Sequence, residues 1–364
     1  MKVLFITNII SSHQIGLWDS FSKLDNIDFL YLYTEELPME QKRYYEESRD
    51  YCIYSKHVND VKTILYDADF VIVSKGCVKD DRIKTFLKQM NNIIYYSEHY
   101  SKEINTNSKY AICKYIIKGL LLRAKYHKKN KYNYALCASS HAGFDFFISG
   151  FKKKNIYKFG YFPSYDYNKK PLLNNKKILF VGRNIPLKHP EDSVFALDFL
   201  KEDNSSYSLD IVGKGFENYP SDGIEYYGEL EHRCVIEKMM NSEIFIFSSD
   251  RREGWGVVLA EAMSSGCFVF ANINAGCTNF LIRNGFNGYT YKNRKELEIR
   301  LKQFLKLSES KKQEIRKNAI KTIKNLWNSD IAASRLYNFL KSLYHKAIFY
   351  IKDDGPLSRD KCKF

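Results

Sequence analysis

The sequence predicts an α/β chain of two halves, each a parallel sheet covered by helices on both faces. Three observations carry that expectation. Short apolar runs alternate with stretches of helical periodicity. The alternation breaks off and restarts near the middle of the chain. A length of 364 residues also exceeds what one hydrophobic core usually organises. Strands buried on both faces read as near-continuous apolar runs, and alternation with helices covers both faces of the sheet.

In the first half, KVLFITN opens the chain as a strand. His13 to Leu24 follows as a helix, with Ile15, Leu17, Trp18, Phe21 and Leu24 at helical spacing. FLYLYT (29–34), ADFVIVS (68–74), NIIYYSE (92–98) and NYALCASS (133–140) supply further strands. The second half opens with the strand KKILFVGR (176–183) and the amphipathic helix EDSVFALDFLKED (191–203), whose leading acidic pair suits the positive helix N-terminus. SLDIVGKG (208–215), IEYYGEL (224–230), EIFIFSS (243–249) and CFVFANI (267–273) continue as strands, with helices around 231–242 and 256–265. Between the halves, KFGYFPSYDYNKKPLLNNKK (158–177) has two prolines, several asparagines and little periodicity, as an interdomain linker would. Residues 294–350 are helical by pattern. The expected division is 1–165, 166–340, and a tail over 341–364 that packs back on the first half.

Hydrophobic residues make up 45% of the chain, enough for sizeable cores, and no long Ser/Gly/Pro-rich or acidic tract marks disorder. The opening MKVLFITNIISSHQIG has too short an apolar run for a secretory signal. No window approaches the ~20 apolar residues that span a bilayer, so the expected location is the cytoplasm. Cysteines at 52, 77, 113, 137, 234, 267, 277 and 362 form no C-x-x-C pair and no Cys/His group at zinc spacing. They read as small packed hydrophobes. The formal net charge of +15 calls for an acidic partner: nucleic acid, anionic lipid or a phosphorylated small molecule. No nucleic-acid motif accompanies the charge, so nucleic acid is not expected.

The segment RREGWGVVLAEAMSSGCFVFANINAGCTNFLIRNGFNGY (251–289) carries the most chemistry. Gly254 and Gly256 permit a tight turn and close approach to a ligand. The helix that follows points unpaired N–H groups at that ligand, an anion site suited to a diphosphate. Glu253 precedes the turn and Glu261 lies in the helix, roughly 10 Å further along. The two carboxylates are too far apart to share a proton and are spaced to hold two parts of one elongated ligand. Arg183 ends the first strand of the second half and Lys188 lies in the loop after it, a planar fork and a point charge for phosphate. Gly213 and Gly215 end the next strand, where bulky side chains would block a nucleotide. Neither half has G-x-G-x-x-G after its first strand and no P-loop is present, which weighs against a dinucleotide oxidoreductase.

FVGR with Lys188, DIVGKG, Glu253-Gly-Trp-Gly-Val-Val-Leu-Ala-Glu261, AEAMSSGCFVFA and NGFNGY run in order over about 178–290. Together they resemble the donor domain of the retaining glycosyltransferases of family 4, which include bacterial capsule, O-antigen and exopolysaccharide enzymes. The resemblance implies the GT-B fold: two Rossmann-like parallel-sheet domains facing across a cleft, with the acceptor side in 1–165 and the nucleotide-sugar donor domain in 166–340. It implies a hexosyltransferase acting from a UDP- or GDP-sugar on a saccharide or polyprenyl-diphosphate-linked acceptor, with retention and without cofactor or metal. By position, Arg183 and Lys188 would bind the donor diphosphate, and the backbone of Gly254, Trp255, Gly256 and Val257 would face sugar and phosphate. Glu261 would accept from the ribose hydroxyls, Glu253 would hold the transferred sugar, and Gly213 and Gly215 would line the nucleotide pocket. The arginine and lysine would then stabilise charge on the departing nucleoside diphosphate. An alternative is a nucleotide-sugar-binding or partner subunit without catalysis. Two departures bear on that choice. Relatives often carry Gly-Gly and a Glu before the NG motif, where this chain reads Gly276-Cys277-Thr278-Asn279-Phe280. The glycine-rich loop often found after the first strand is here SSHQIG.

In the first half, Ser97-Glu98-His99 follows a strand and is expected to open onto the cleft. Some relatives use a histidine in this region, which makes His99 a catalytic candidate and His13 a lesser one. The segment KYIIKGLLLRAKYHKKNKY (114–132) has seven Lys/Arg and no acid, with Ile116, Ile117, Leu120, Leu121 and Leu122 among them. As a helix it suits either an anionic membrane surface or a core-packed position with a basic solvent face.

Overall fold

The computed structural model describes residues 1–36, 49–74, 78–100, 108–126, 133–163, 175–216 and 222–362. Strand and helix alternate through them, and the chain divides into Met1–Ser164 with Trp327–Phe364, and Tyr165–Leu326. The first unit runs β1 (Lys2–Thr7), α1 (Ser12–Ser22), β2 (Asp28–Tyr33), β3 (Cys52–Tyr54), α2 (Val61–Asp67), β4 (Phe70–Ser74), α3 (Asp81–Leu87), β5 (Ile93–Ser97), α4 (Lys109–Tyr126), β6 (Tyr134–Cys137), α5 (Ala142–Ile148) and β7 (Ile156–Lys158). These strands form one parallel sheet in the order β3-β2-β1-β4-β5-β6-β7. The apolar run of β1 is buried from Val3 to Thr7. Ile15, Leu17, Trp18 and Phe21 turn the buried face of α1 onto it, with Phe5 and Trp18 at 4.4 Å between centroids.

The second unit runs β8 (Lys177–Val181), α6 (Glu191–Asp203), β9 (Ser208–Val212), β10 (Ile224–Tyr226), α7 (His232–Met240), β11 (Ile244–Phe247), α8 (Val257–Ser264), β12 (Phe268–Asn272), α9 (Thr278–Leu281), β13 (Tyr289–Tyr291), α10 (Arg294–Leu305) and α11 (Glu309–Asn325). Its sheet is also parallel, in the order β10-β9-β8-β11-β12-β13. Ile178, Phe180, Leu209, Ile211, Ile246 and Phe270 of the strands pack against Leu197, Leu200, Leu297 and Leu301 of the covering helices. Each such side chain, fully buried, contributes about 1.5–3 kcal/mol. Helix starts are set by side chains: Asn293 accepts from the Glu296 amide at 3.0 Å and Ser308 from the Lys311 amide at 3.3 Å.

The chain winds outward from β8 through β9 to β10, then resumes on the other side of β8 with β11. That reversal is a topological switch point, where the loops leaving two adjacent strands diverge and leave room for a ligand.

After α11 the chain returns to the first unit. α12 (Ser329–Tyr344), capped by Asn328, packs on α1 and is tied to it by Ser20 Oγ and Asp330 Oδ1 at 2.7 Å. Trp327 stacks on Phe162. Beyond α12, Leu357 to Asp360 run antiparallel along β7. The Lys158 amide donates to the Ser358 carbonyl at 2.8 Å and the Asp360 amide to the Ile156 carbonyl at 3.0 Å, which covers an otherwise open sheet edge. Lys158 Nζ adds an ion pair with Asp354 at 2.6 Å.

Two expectations change. The break predicted at 340 falls at Leu326, because α12 carries its apolar face, Ala332, Ala333, Leu336, Phe339 and Leu340, into the first unit. The first residues of the predicted linker are core: Phe159 and Phe162 are buried, although the proline and asparagines beside them read as loop. Residues 164–174 of that linker, 127–132 of the basic segment, and Cys77 lie outside the described residues. The described cysteines are all free thiols. Five are buried, whereas Cys113 and Cys234 are exposed instead of packed.

Candidate functional site

The loops leaving β8 and β11 carry the predicted donor residues to the switch point of the second sheet. Arg183 follows β8 directly. It is exposed, and among the described residues its guanidinium is in no ion pair. The aliphatic chain of Lys188 lies beside Gly182, and its Nζ reaches Glu253 Oε2 at 2.5 Å, with both side chains largely buried. This strand-end loop is fastened to its neighbour by backbone and side chain. The Asp250 amide donates to the Leu187 carbonyl at 2.9 Å, and Ser248 Oγ to the Lys188 carbonyl at 2.7 Å.

The turn into α8 depends on glycine at one residue above all. Gly256 has φ +88°, in the left-handed region, and a Cβ there would run into the ring of Phe247. The helix therefore begins without a side-chain cap, and its first amides are free of intrahelical partners. Gly254 and Val257 flank Gly256 as predicted. Trp255 does not project toward a ligand: its indole is 2% exposed and lies 6.1 Å from the ring of Phe280. The aromatic that stands where relatives often carry a carboxylate thus packs on the tryptophan of the turn. Only the backbone of Trp255 is left to face a ligand.

Glu261 lies one face along α8 and is buried at its carboxylate. Its Oε1 is 2.8 Å from Nε2 of His232, the first residue of α7. This bond raises the pKa of His232 above its ordinary value, against the opposing effect of burial. Gly213 closes β9 with its amide donating to the Gly228 carbonyl at 2.8 Å, and its α-carbon lies against the Gly182 carbonyl, where a Cβ has no room. Gly215 follows in the same turn, its carbonyl accepting from Asn184 Nδ2 at 2.6 Å.

Each predicted carboxylate is thus held by a basic side chain. Lys188 with Glu253 and His232 with Glu261 form two such pairs at the strand ends of one sheet. The Glu-x7-Glu spacing makes Glu253 and Glu261 visible in sequence, but nothing marks His232, which merely opens a predicted helix. His189 and Asp250, which join the two loops, carry no sequence signal either. Among the described residues no three His, Cys, Asp or Glu side chains cluster as a metal site requires.

His99 belongs to the first unit and, instead of opening outward at the strand end as expected for a cleft residue, is buried. It is 2% exposed, with Nδ1 2.9 Å from Ser139 Oγ and its ring against His141. The reason is local: the chain after β5 turns inward, with the Tyr100 amide donating to Asp145 of α5. Asp145 also accepts from Tyr115 of α4. Glu98 accepts from Tyr161 at 2.9 Å, and His13 lies parallel to the same ring at 6.5 Å.

Residues 166–322, within the second unit, match the family model described as glycosyl transferases group 1. Solved structures align over nearly the whole chain. Anabaena HepE, in complex with UDP and glucose, superposes with a TM-score of 0.62 at 14% identity, over 94% of this chain and 100% of that one. Sucrose-phosphate synthase from Thermosynechococcus elongatus does so with a TM-score of 0.64 at 12% identity, over 95% and 100%. The fold is GT-B. In sequence, an uncharacterized glycosyltransferase of Methanocaldococcus jannaschii is 26% identical over 187 residues, 49% of this chain. The chain spans 43% of that relative's length. The residues predicted from sequence for a donor site all lie in the second of the two sheet units, on the loops leaving β8, β9 and β11 and on α8, with His232 on α7 beside them.

Proposed function

We propose that this chain is a nucleotide-sugar-dependent glycosyltransferase. The reading rests chiefly on one observation: at the switch point of the second sheet, Arg183, in no ion pair among the described residues, and a Lys188–Glu253 pair lie on the loops leaving β8 and β11, the latter leading into the uncapped start of α8, and a His232–Glu261 pair joins α7 to α8. A diphosphate brings negative charge to Arg183, Lys188 and the α8 amides. As Lys188 turns to phosphate, Glu253 is released to accept from hydroxyls of the sugar. Glu261 exchanges His232 for the ribose hydroxyls. The cations left on the diphosphate then stabilise the leaving group. The group 1 family match over 166–322 and a GT-B neighbour that binds UDP-glucose support the donor class.

In finer detail, we propose a retaining enzyme of family 4 that moves a hexose from a UDP- or GDP-sugar, without a metal, to a saccharide or polyprenyl-linked saccharide of a surface polysaccharide. The motif set of the second half supports this reading. Phe280, in place of a carboxylate, is the observation that favours the alternative, a nucleotide-sugar-binding subunit without transfer. A thermal-shift screen of UDP-, GDP-, ADP- and dTDP-sugars tests the donor class, because a bound ligand raises stability by mass action. No stabilisation by any of them sinks the proposal. Turnover of the stabilising donor by purified protein eliminates the alternative.

Contact with an anionic membrane surface belongs to the same proposal. Tyr110, Ile116, Ile117, Leu120 and Leu121 of α4 are all exposed, beside Lys109, Lys114 and Lys118 and with no acid in the helix. Apolar side chains flanked by lysines fit the interface of an anionic bilayer at the cytoplasmic face. Among the described residues no helix is long and apolar enough to cross a membrane. Ile117→Glu with Leu121→Glu should abolish co-sedimentation with phosphatidylglycerol vesicles. Equal binding to phosphatidylcholine vesicles, or none to either, removes this element.

A further inference from the structure

We infer that His189 is a positioning residue of the donor site, a cationic pin that holds the loop bearing Lys188 to the loop bearing Glu253. The inference rests on the donor-site reading and assigns a role to a residue outside the motifs that support it. His189 immediately follows Lys188 and has φ +47°, a left-handed conformation that a non-glycine residue seldom adopts. From that backbone its ring reaches two carboxylates on different elements. Nδ1 lies 2.9 Å from Glu191 Oε1 in the first turn of α6, and Nε2 lies 3.0 Å from Asp250 Oδ2 in the loop after β11. An ionised carboxylate only accepts, so both ring nitrogens donate, which imidazole does only when protonated.

The two carboxylates favour that state, and the guanidiniums beside them oppose it: Asp250 also takes Arg252 Nη2 at 2.7 Å, and Arg294 Nη2 stands 3.9 Å from Glu191 Oε1. Burial opposes the charge, but the bonds to Asp250 and Glu191 outweigh it and raise the pKa of His189 above its ordinary 6.5. Asp250 itself is held below the usual carboxylate range by Arg252 and His189, although burial pulls the other way. Of the ties between the two loops described here, the Asp250 amide, the Ser248 hydroxyl, the Lys188–Glu253 pair and His189, only the histidine is of a residue type that titrates near neutrality. His189 lies one residue from Lys188, and its partner Asp250 lies three residues before Glu253.

The sign follows from the raised pKa. The pin is in place at acidic pH, remains through 6.5, and is lost as pH rises through the raised folded value. Losing it frees Asp250 from His189 and loosens the distance between Lys188 and Glu253, so donor binding weakens while the chemical groups remain present.

The test is UDP affinity by calorimetry from about pH 6 to about pH 8.5, for wild type, His189→Gln and His189→Arg, with His232→Gln as the control for the second histidine. Wild-type affinity should fall about threefold to tenfold more across that range than the affinity of His189→Gln. His189→Gln should be weaker at acidic pH and follow only the phosphate and His232. His189→Arg, a permanent cation, should hold its affinity at the alkaline end. With a donor that turns over, KM should move and kcat should change less. Thermal unfolding confirms that each variant folds. A His189→Gln profile that parallels wild type at every pH overturns the pin. If wild type binds no UDP at any pH, the donor reading fails, and an imidazole NMR titration of His189 decides the pin separately: a raised pKa leaves the pin between the two loops standing with only the site reading lost, and an unraised one overturns it.

Discussion

The strand ends of the two sheets use polar side chains in opposite ways. In the second unit Lys188 after β8 is paired with Glu253 after β11, and His232 of α7 with Glu261 of α8, while Arg183 is in no ion pair among the described residues; these are the groups proposed to meet a ligand. In the first unit the polar groups after β5 are turned inward. His99 is on Ser139, and Asp145 is on Tyr115 and the Tyr100 amide. A charged pair at a binding site can be exchanged when the ligand supplies the replacement partner, whereas a buried hydrogen bond with no replacement is costly to unmake. On the proposed reading, the same parallel architecture carries one set of strand ends that changes partners and one that holds a loop still.

That contrast can be broken by substitution, beginning with the largest expected effect. Glu261→Ala removes the carboxylate proposed to receive the ribose and should weaken UDP binding by about 100-fold, the scale of a hydrogen-bonded charge. Calorimetry showing affinity within threefold of wild type would remove Glu261 from the site. Arg183→Ala should weaken UDP binding by about tenfold, with a melting temperature unchanged to within about 1 °C, because among the described residues no ion-pair partner is left unsatisfied. A marked loss of stability would show that Arg183 is structural. Ser139→Ala should do the reverse, lowering stability by about 1 kcal/mol through the loss of the His99 bond while UDP affinity stays within about twofold. A large fall in UDP affinity in that variant would mean that His99 and its support serve the donor, and the proposed division between the two sheets would be lost.

Much of the frame was legible because long apolar runs mark long buried strands, as in VLFIT of β1 and FVFAN of β12. β3, β7 and β13 escaped notice because three residues carry too little periodicity to separate strand from loop. The Glu253 and Glu261 spacing and the glycines around the turn were readable, since a ligand-facing turn restricts residue type. Their partners were not. Lys188 with Glu253 joins positions 65 apart in sequence, and His232 with Glu261 positions 29 apart, so only the fold brings them together. The burial of His99 was equally hidden, because it depends on Asp145 drawing in the chain beyond β5. The apolar face of α12 was visible as a helix, but its destination on α1 was not, since periodicity names a buried face without naming what covers it.

The return of the chain at Trp327 has a consequence for biogenesis. Tyr165–Leu326 is contiguous, whereas the other unit needs segments from both sides of it. As the polypeptide leaves the ribosome, the six-stranded sheet has all its strands before α12 exists to cover α1 or residues 357–360 to seal β7. During that interval the nascent seven-stranded sheet presents an open edge and a bare apolar helix face, the features that recruit chaperones and seed aggregation. A message truncated after codon 326 would leave the protein permanently in that state, with the loops after β8 and β11 complete and its other half unfinished.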